Sequence, residues 1–68
     1  MYIVIEMQTT GETVGTLTYQ FSNLSQAEAK YHSILAVAAT SGLYVHAAIL
    51  MNNHGGIIKS EFYEAESI

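Results

Sequence analysis

The stretch Ser25-Gln-Ala-Glu-Ala-Lys-Tyr-His-Ser-Ile-Leu-Ala-Val-Ala-Ala39 decides the architecture, because it carries the clearest helical period in a chain otherwise rich in strand-like runs. Ala27, Tyr31, Ile34, Leu35 and Ala38 form one apolar stripe at 3.6-residue spacing. Ser25 followed by Glu28 has the spacing of a capping box, and Leu24 stands where a hydrophobic staple belongs. Gly42 sits where a left-handed C-cap would fall, so the spacing predicts a helix over about 25–41. Ala36, Val37 and Ala39 lie off the stripe, which predicts burial on a second side of the last turns.

Working outward, each flank of this helix reads as a pair of strands. Tyr2-Ile3-Val4-Ile5-Glu6-Met7 is rich in β-branched residues and predicts a strand over about 2–8. Thr9-Thr10-Gly11-Glu12 is a turn, and a second strand follows over 13–21 with Leu17, Tyr19 and Phe21 on one face. On the other flank, 43–51 is apolar on both faces: Leu43, Val45, Ala47, Ile49 and Met51 alternate with Tyr44, His46, Ala48 and Leu50. Such a strand belongs in the centre of a sheet. Asn52-Asn53-His54-Gly55-Gly56 is a turn, and 57–64 is the last strand, with Lys59 and Glu61 on one face and Ile58 and Phe62 on the other. The tail over 65–68 is expected to fray.

The fold expected is a single α+β domain of ββαββ order, a four-stranded antiparallel sheet with one helix packed on one face. One helix covers one face of such a sheet. The other face, carrying Tyr2, Val4, Val14, Tyr44 or Val45, and Leu50 or Ile49, would be left bare. Sheet-to-sheet or edge-to-edge association resolves this, with Tyr2, Val4, Val37, Tyr44 and Leu50 expected at the interface of a homo-oligomer.

Size and composition lead to the same expectation. For 68 residues, burial of apolar surface at ~25 cal/mol/Å² contributes about 98 kcal/mol, and ordering the chain costs about 102 kcal/mol. Without cysteine there is neither a disulfide framework nor a thiolate metal site to make up the balance. Half the chain is hydrophobic and only 12% is charged, too little polar surface to cover a small sphere. A second copy is the simplest remedy.

Charge excludes several function classes. Lys30 and Lys59 stand against six glutamates, giving −4 and no Arg, so clustered cations for nucleic acid or an anionic membrane are missing. The runs 34–39 and 43–51 are too short to span a bilayer, and residues 1–7 lack a basic leader region. The expectation is a cytoplasmic chain that faces a basic partner protein.

Few residues suggest chemistry. His32, His46 and His54 match no zinc-binding spacing, and no Asp is present to complete a triad of the usual type, so neither metal, cofactor nor enzymatic activity is expected. His32 reads as structural, His46 as structural or interfacial beside Tyr44, and His54 as a solvated loop residue; a metal bound across an oligomer axis is the alternative. Glu6 and Glu61 would be neighbours if the first and last strands are adjacent. Glu61, Glu64 and Glu66 read as a solvated acidic face. The loop Asn52, Asn53, His54, Gly55, Gly56 is either a plain hairpin turn or an anion-binding nest of backbone N–H groups. Of five tyrosines, Tyr19 and Tyr31 are assigned to the core, and Tyr2, Tyr44 and Tyr63 to hairpin packing or an interface.

The start Met1-Tyr-Ile-Val-Ile-Glu-Met-Gln-Thr, the segment Glu28-Ala-Lys-Tyr-His-Ser-Ile-Leu-Ala, and Val45-His-Ala-Ala followed by Gly55 and Glu61-Phe-Tyr carry a resemblance. They resemble short uncharacterised proteins encoded in phages and prophages of Gram-positive bacteria. The resemblance spans most of the chain and transfers no site. It implies a small accessory binding protein working in the cytoplasm of an infected or lysogenic host. Two readings follow. One is an acidic, homo-oligomeric inhibitor of a host defence protein, docking on a basic surface through residues such as Glu61 and Glu64. The other is a sponge for a nucleotide-type signal, with pockets at subunit interfaces built from Tyr44, His46 and the Asn52–Gly56 loop.

Overall fold

The structure, a computed structural model, describes residues 1–65. The expected fraying over 66–68 and the place of Glu66 in an acidic face lie outside those residues. Strands β1 (Tyr2–Thr10) and β2 (Thr13–Phe21) precede helix α1 (Leu24–Ala38), and β3 (Val45–Asn52) and β4 (Ile57–Glu64) follow it. They form one antiparallel sheet in the order β2-β1-β3-β4, with α1 on one face. The doubly apolar β3 is central, as its sequence requires.

Both hairpins follow from local chemistry. Thr10 pairs with Thr13 around the two-residue turn Gly11-Glu12, and Gly11 takes φ +62°. Glycine at the first turn position with an ordinary second residue is the type II′ arrangement that matches strand twist. The second hairpin is irregular: Leu50 pairs with Lys59 but Met51 with Ile57, so Ile58 is an extra residue in β4.

The helix begins two residues earlier than its capping-box spacing suggests. Asn23, not Ser25, is the N-cap: in extended backbone (φ −124°, ψ 128°), its Oδ1 accepts the N–H groups of Ser25 at 2.8 Å and Gln26 at 3.3 Å. Glu28 is thereby released from a capping role and takes the Lys59 ammonium at 2.8 Å. The helix ends at Ala38, short of the expected 41, with Gly42 at φ +74° in the following turn.

The core lies between α1 and the two central strands. Ala27, Tyr31, Ile34 and Ala38 of the predicted stripe are buried against Val4, Ala48 and Leu50, with Tyr2, Tyr19, Phe21 and Leu35 packed around them. Alanines on both sides of the contact (Ala27, Ala48) have no accessible surface, so helix and sheet approach closely. This settles which sheet face the helix covers and corrects the expected interface. Val4 and Leu50 are fully buried under α1, and Tyr2 packs beside them, so none of the three faces outward. The open face is set by the register instead: Ile3, Ile5 and Met7 pair with Met51, Ile49 and Ala47, and Val14 pairs with Thr9. Val37 is exposed on the outer side of the helix, where nothing within one chain covers it.

Candidate functional site

Two polar groups lie inside the covered face, and the strand register puts them together. Glu6 on β1 pairs with Ala48, one pleat from His46, which pairs with Gln8. His46 is 2% exposed; its Nε2 lies 2.7 Å from Glu6 Oε2 and its Nδ1 lies 3.0 Å from Ser41 Oγ. A carboxylate only accepts, so Nε2 carries a proton. Gln8 Nε2 donates to the same Glu6 oxygen at 2.9 Å. Burial pushes the Glu6 carboxyl upward, but hydrogen bonds from Gln8 and His46, with the charges of His46 and Lys30, outweigh it and hold its pKa below the ordinary 4.5.

The chain Ser41, His46, Glu6 has the composition of a nucleophile, a base and an orienting acid. Its placement is structural. The Ser41 hydroxyl also accepts the Leu43 N–H at 3.3 Å and lies 3.3 Å from the Ala38 carbonyl, so it closes the connection from α1 to β3. The imidazole has both nitrogens engaged and almost no surface for a substrate to approach. The shallow depression at this end of the molecule is lined by residues such as Ala39, Thr40, Leu43 and Tyr63, with no cation among them.

The other residues selected from the sequence do not converge on one site. Tyr44 precedes β3 and is exposed, its carbonyl accepting the Ala65 N–H at 3.0 Å, and Glu64 pairs with Val45 at the same end of the sheet. Asn52, Asn53, His54 and Gly55 lie at the opposite end of β3, which at ~3.3 Å per residue separates the groups by about 23 Å. The loop is a turn and not a nest, because its donors are spent internally. Asn52 Oδ1 accepts the N–H groups of His54 and Gly56, each at 2.9 Å. The Gly55 N–H reaches the Asn52 carbonyl at 3.2 Å, and the Asn53 N–H the Met1 carbonyl at 3.2 Å. No backbone N–H of Asn52–Gly56 is left for an anion.

The acidic residues are dispersed too. Glu61 pairs with Ala48 on the helix side, whereas Glu64 pairs with Val45 on the open side, so they share no face. Because β3 lies between β1 and β4, Glu6 and Glu61 are not neighbours across adjacent strands, and Ala48 stands between them. Among the described residues, no group of three or more His, Asp or Glu side chains is placed to hold a metal ion, and no helix is long and apolar enough to cross a membrane.

What remains is a surface. On the open face Ile3, Ile5, Met7, Val45, Ala47, Ile49 and Met51 run across both central strands with no layer above them, and Phe62 on β4 is 58% exposed beside Ala47. A shallow groove follows Ala47, Ile49, Ser60 and Phe62, where the short side chains of Ala47 and Ser60 lie between larger ones. Glu64, at one end, is the only charged residue on this face among the described residues. Sequence reading anticipated a bare apolar face but chose the wrong strand parity for β1. The buried pairing of Glu6 with His46 across two strands could not be read from local alternation.

Comparison with known proteins adds no relationship: no family model, no curated protein and no solved structure matches the chain.

Proposed function

We propose that this chain is a non-enzymatic binding protein that works as a homo-oligomer and inhibits a host protein by contact. The observation that carries the reading is the open sheet face, apolar across its centre and bearing a single charge among the described residues. Two copies that each carry −4 meet there with almost no opposed charge. Four strands about 4.8 Å apart and about eight residues long give a footprint near 500 Å² per copy, about 1,000 Å² in total before corrugation adds to it. That reaches the size of a specific interface. The remaining surface, acidic in balance, is then free for a partner with a basic face, and the resemblance to phage-encoded accessory proteins supports a host protein in that role.

The sponge is the second reading, and fewer observations support it: His46 is buried, the backbone N–H groups of the loop are already paired, and Tyr44 stands at the other end of the sheet from the loop. Native mass spectrometry of the purified chain tests the choice. The expected spectrum is a bare oligomer. An oligomer that retains small-molecule mass overturns the inhibitor reading in favour of the sponge, and a monomer at all concentrations overturns the homo-oligomer.

A further inference from the structure

The two edges of the sheet are built differently. Natural sheets blunt their edges with charges, prolines or bulges, because an edge presents a row of unpaired N–H and C=O groups. The β4 edge is protected in this way: it carries Lys59, Glu61 and Glu64, and the irregularity at Leu50/Met51 breaks its register. The β2 edge has none of these devices. All nine residues of Thr13–Phe21 keep unbroken register with β1, and the strand contains no charge, no proline and no bulge.

We infer that the β2 edge is a second self-association surface, on which β2 of another copy adds antiparallel to make one eight-stranded sheet. This rests on the homo-oligomer reading and names a contact distinct from the open face. The strand is self-complementary about its midpoint, Leu17. A two-fold axis there sets Leu17 against its own copy, Thr16 against Thr18, Gly15 against Tyr19 and Val14 against Gln20. Leu17 is 50% exposed although it lies on the helix side; Tyr19 and Phe21 further along β2 pack against the core, whereas Leu17 is not among the residues packed there. Pairing covers it with the second Leu17. Gly15 leaves room for the opposing Tyr19 ring, which Lys30 already caps from its own helix at 4.1 Å. The Thr16–Thr18 pairs put β-branched hydroxyl side chains side by side. No charges lie along β2, whereas β4 carries Lys59, Glu61 and Glu64. Joining the edges also merges two open faces into one platform twice as wide.

The hydrogen-bond pattern supplies the test. With Thr10–Thr13 closing a two-residue turn, paired positions alternate, so Thr18, opposite Ile5, directs its N–H and C=O away from β1. Leu17 bonds inward to β1, so the two copies of Leu17 form a non-hydrogen-bonded pair with Cα atoms about 4.5 Å apart, within disulfide range. The chain has no cysteine of its own. Leu17→Cys under mild oxidation should therefore give a covalent dimer, and Val14→Cys, displaced from the axis, should not. With both surfaces in use the wild type should be a tetramer by native mass spectrometry. Thr18→Pro should halve that mass with the circular dichroism spectrum kept, and Ile49→Glu on the open face should halve it independently. If Leu17→Cys fails to cross-link, or Thr18→Pro leaves the mass unchanged while Ile49→Glu halves it, the edge contact is wrong and the homo-oligomer stands. A wild type that is monomeric throughout overturns both.

Discussion

The two sides of the sheet are built from the same strands and hold similar apolar side chains, yet one is a core and the other a surface. The covered side holds Val4, Ala48 and Leu50, along with the polar Glu6 and His46; the open side holds Ile3, Ile5, Met7, Ile49 and Met51. By side-chain hydropathy alone the open side is the better core. The helix chose the other because alanines on both surfaces let it approach closely, and because Glu6 and His46 satisfy each other once they are inside. Close fit and polar pairing, not apolar content, separated core from surface. The displaced apolarity is left on the open face.

This contrast can be broken most severely at the core. Leu50→Ala removes a side chain with no exposure and should cost about 2–5 kcal/mol, enough to unfold a chain this small. Ile49→Ala, one residue along on the open side, should lose much less at low protein concentration and more at high concentration, where a second copy covers it. Urea titrations at two concentrations separate the pair. A smaller loss follows at the buried polar pair: His46→Ala leaves the Glu6 carboxylate without its shortest hydrogen bond and should cost roughly 1–3 kcal/mol in the same assay.

The pair also makes the covered side sensitive to acid. The folded pKa of Glu6 lies below the ordinary 4.5, so its contribution is complete above that value and is lost as the pH falls from there through the folded pKa. Thermal melts of the wild type should therefore decline over that acidic range more steeply than those of Glu6→Gln, which has no carboxylate to protonate. Parallel curves for the two proteins would remove Glu6 from the account. The mildest change is at the helix cap. Asn23→Ala should cost about 1 kcal/mol by leaving the Ser25 and Gln26 N–H groups without their acceptor, whereas Ser25→Ala should be nearly silent.

Much of this was legible in the sequence. The element order, the central place of β3 and the stripe Ala27, Tyr31, Ile34 and Ala38 all follow from periodicity, and all are present. The parity of β1 was not, because 2–7 offers Ile3, Ile5 and Met7 against Tyr2, Val4 and Glu6, and a lone glutamate in that pattern points to solvent unless its partner is known. That partner, His46, is 40 residues away. Asn23 was hidden by a capping-box match two residues later, where the spacing was right and the backbone geometry was not. The loop reads from its sequence as either a plain turn or a nest, and composition alone does not separate the two, because the acceptor that occupies the N–H groups of His54 and Gly56 is the loop's own Asn52 side chain.

The claim that the open face is covered by a second copy is tested most directly by sedimentation equilibrium of the wild type beside Ile49→Glu over a wide concentration range. The wild type should sediment as an assembly while the variant, still folded by circular dichroism, shows half its mass. A wild type with the mass of a single chain at every concentration, or an Ile49→Glu variant that assembles as the wild type does, would contradict it.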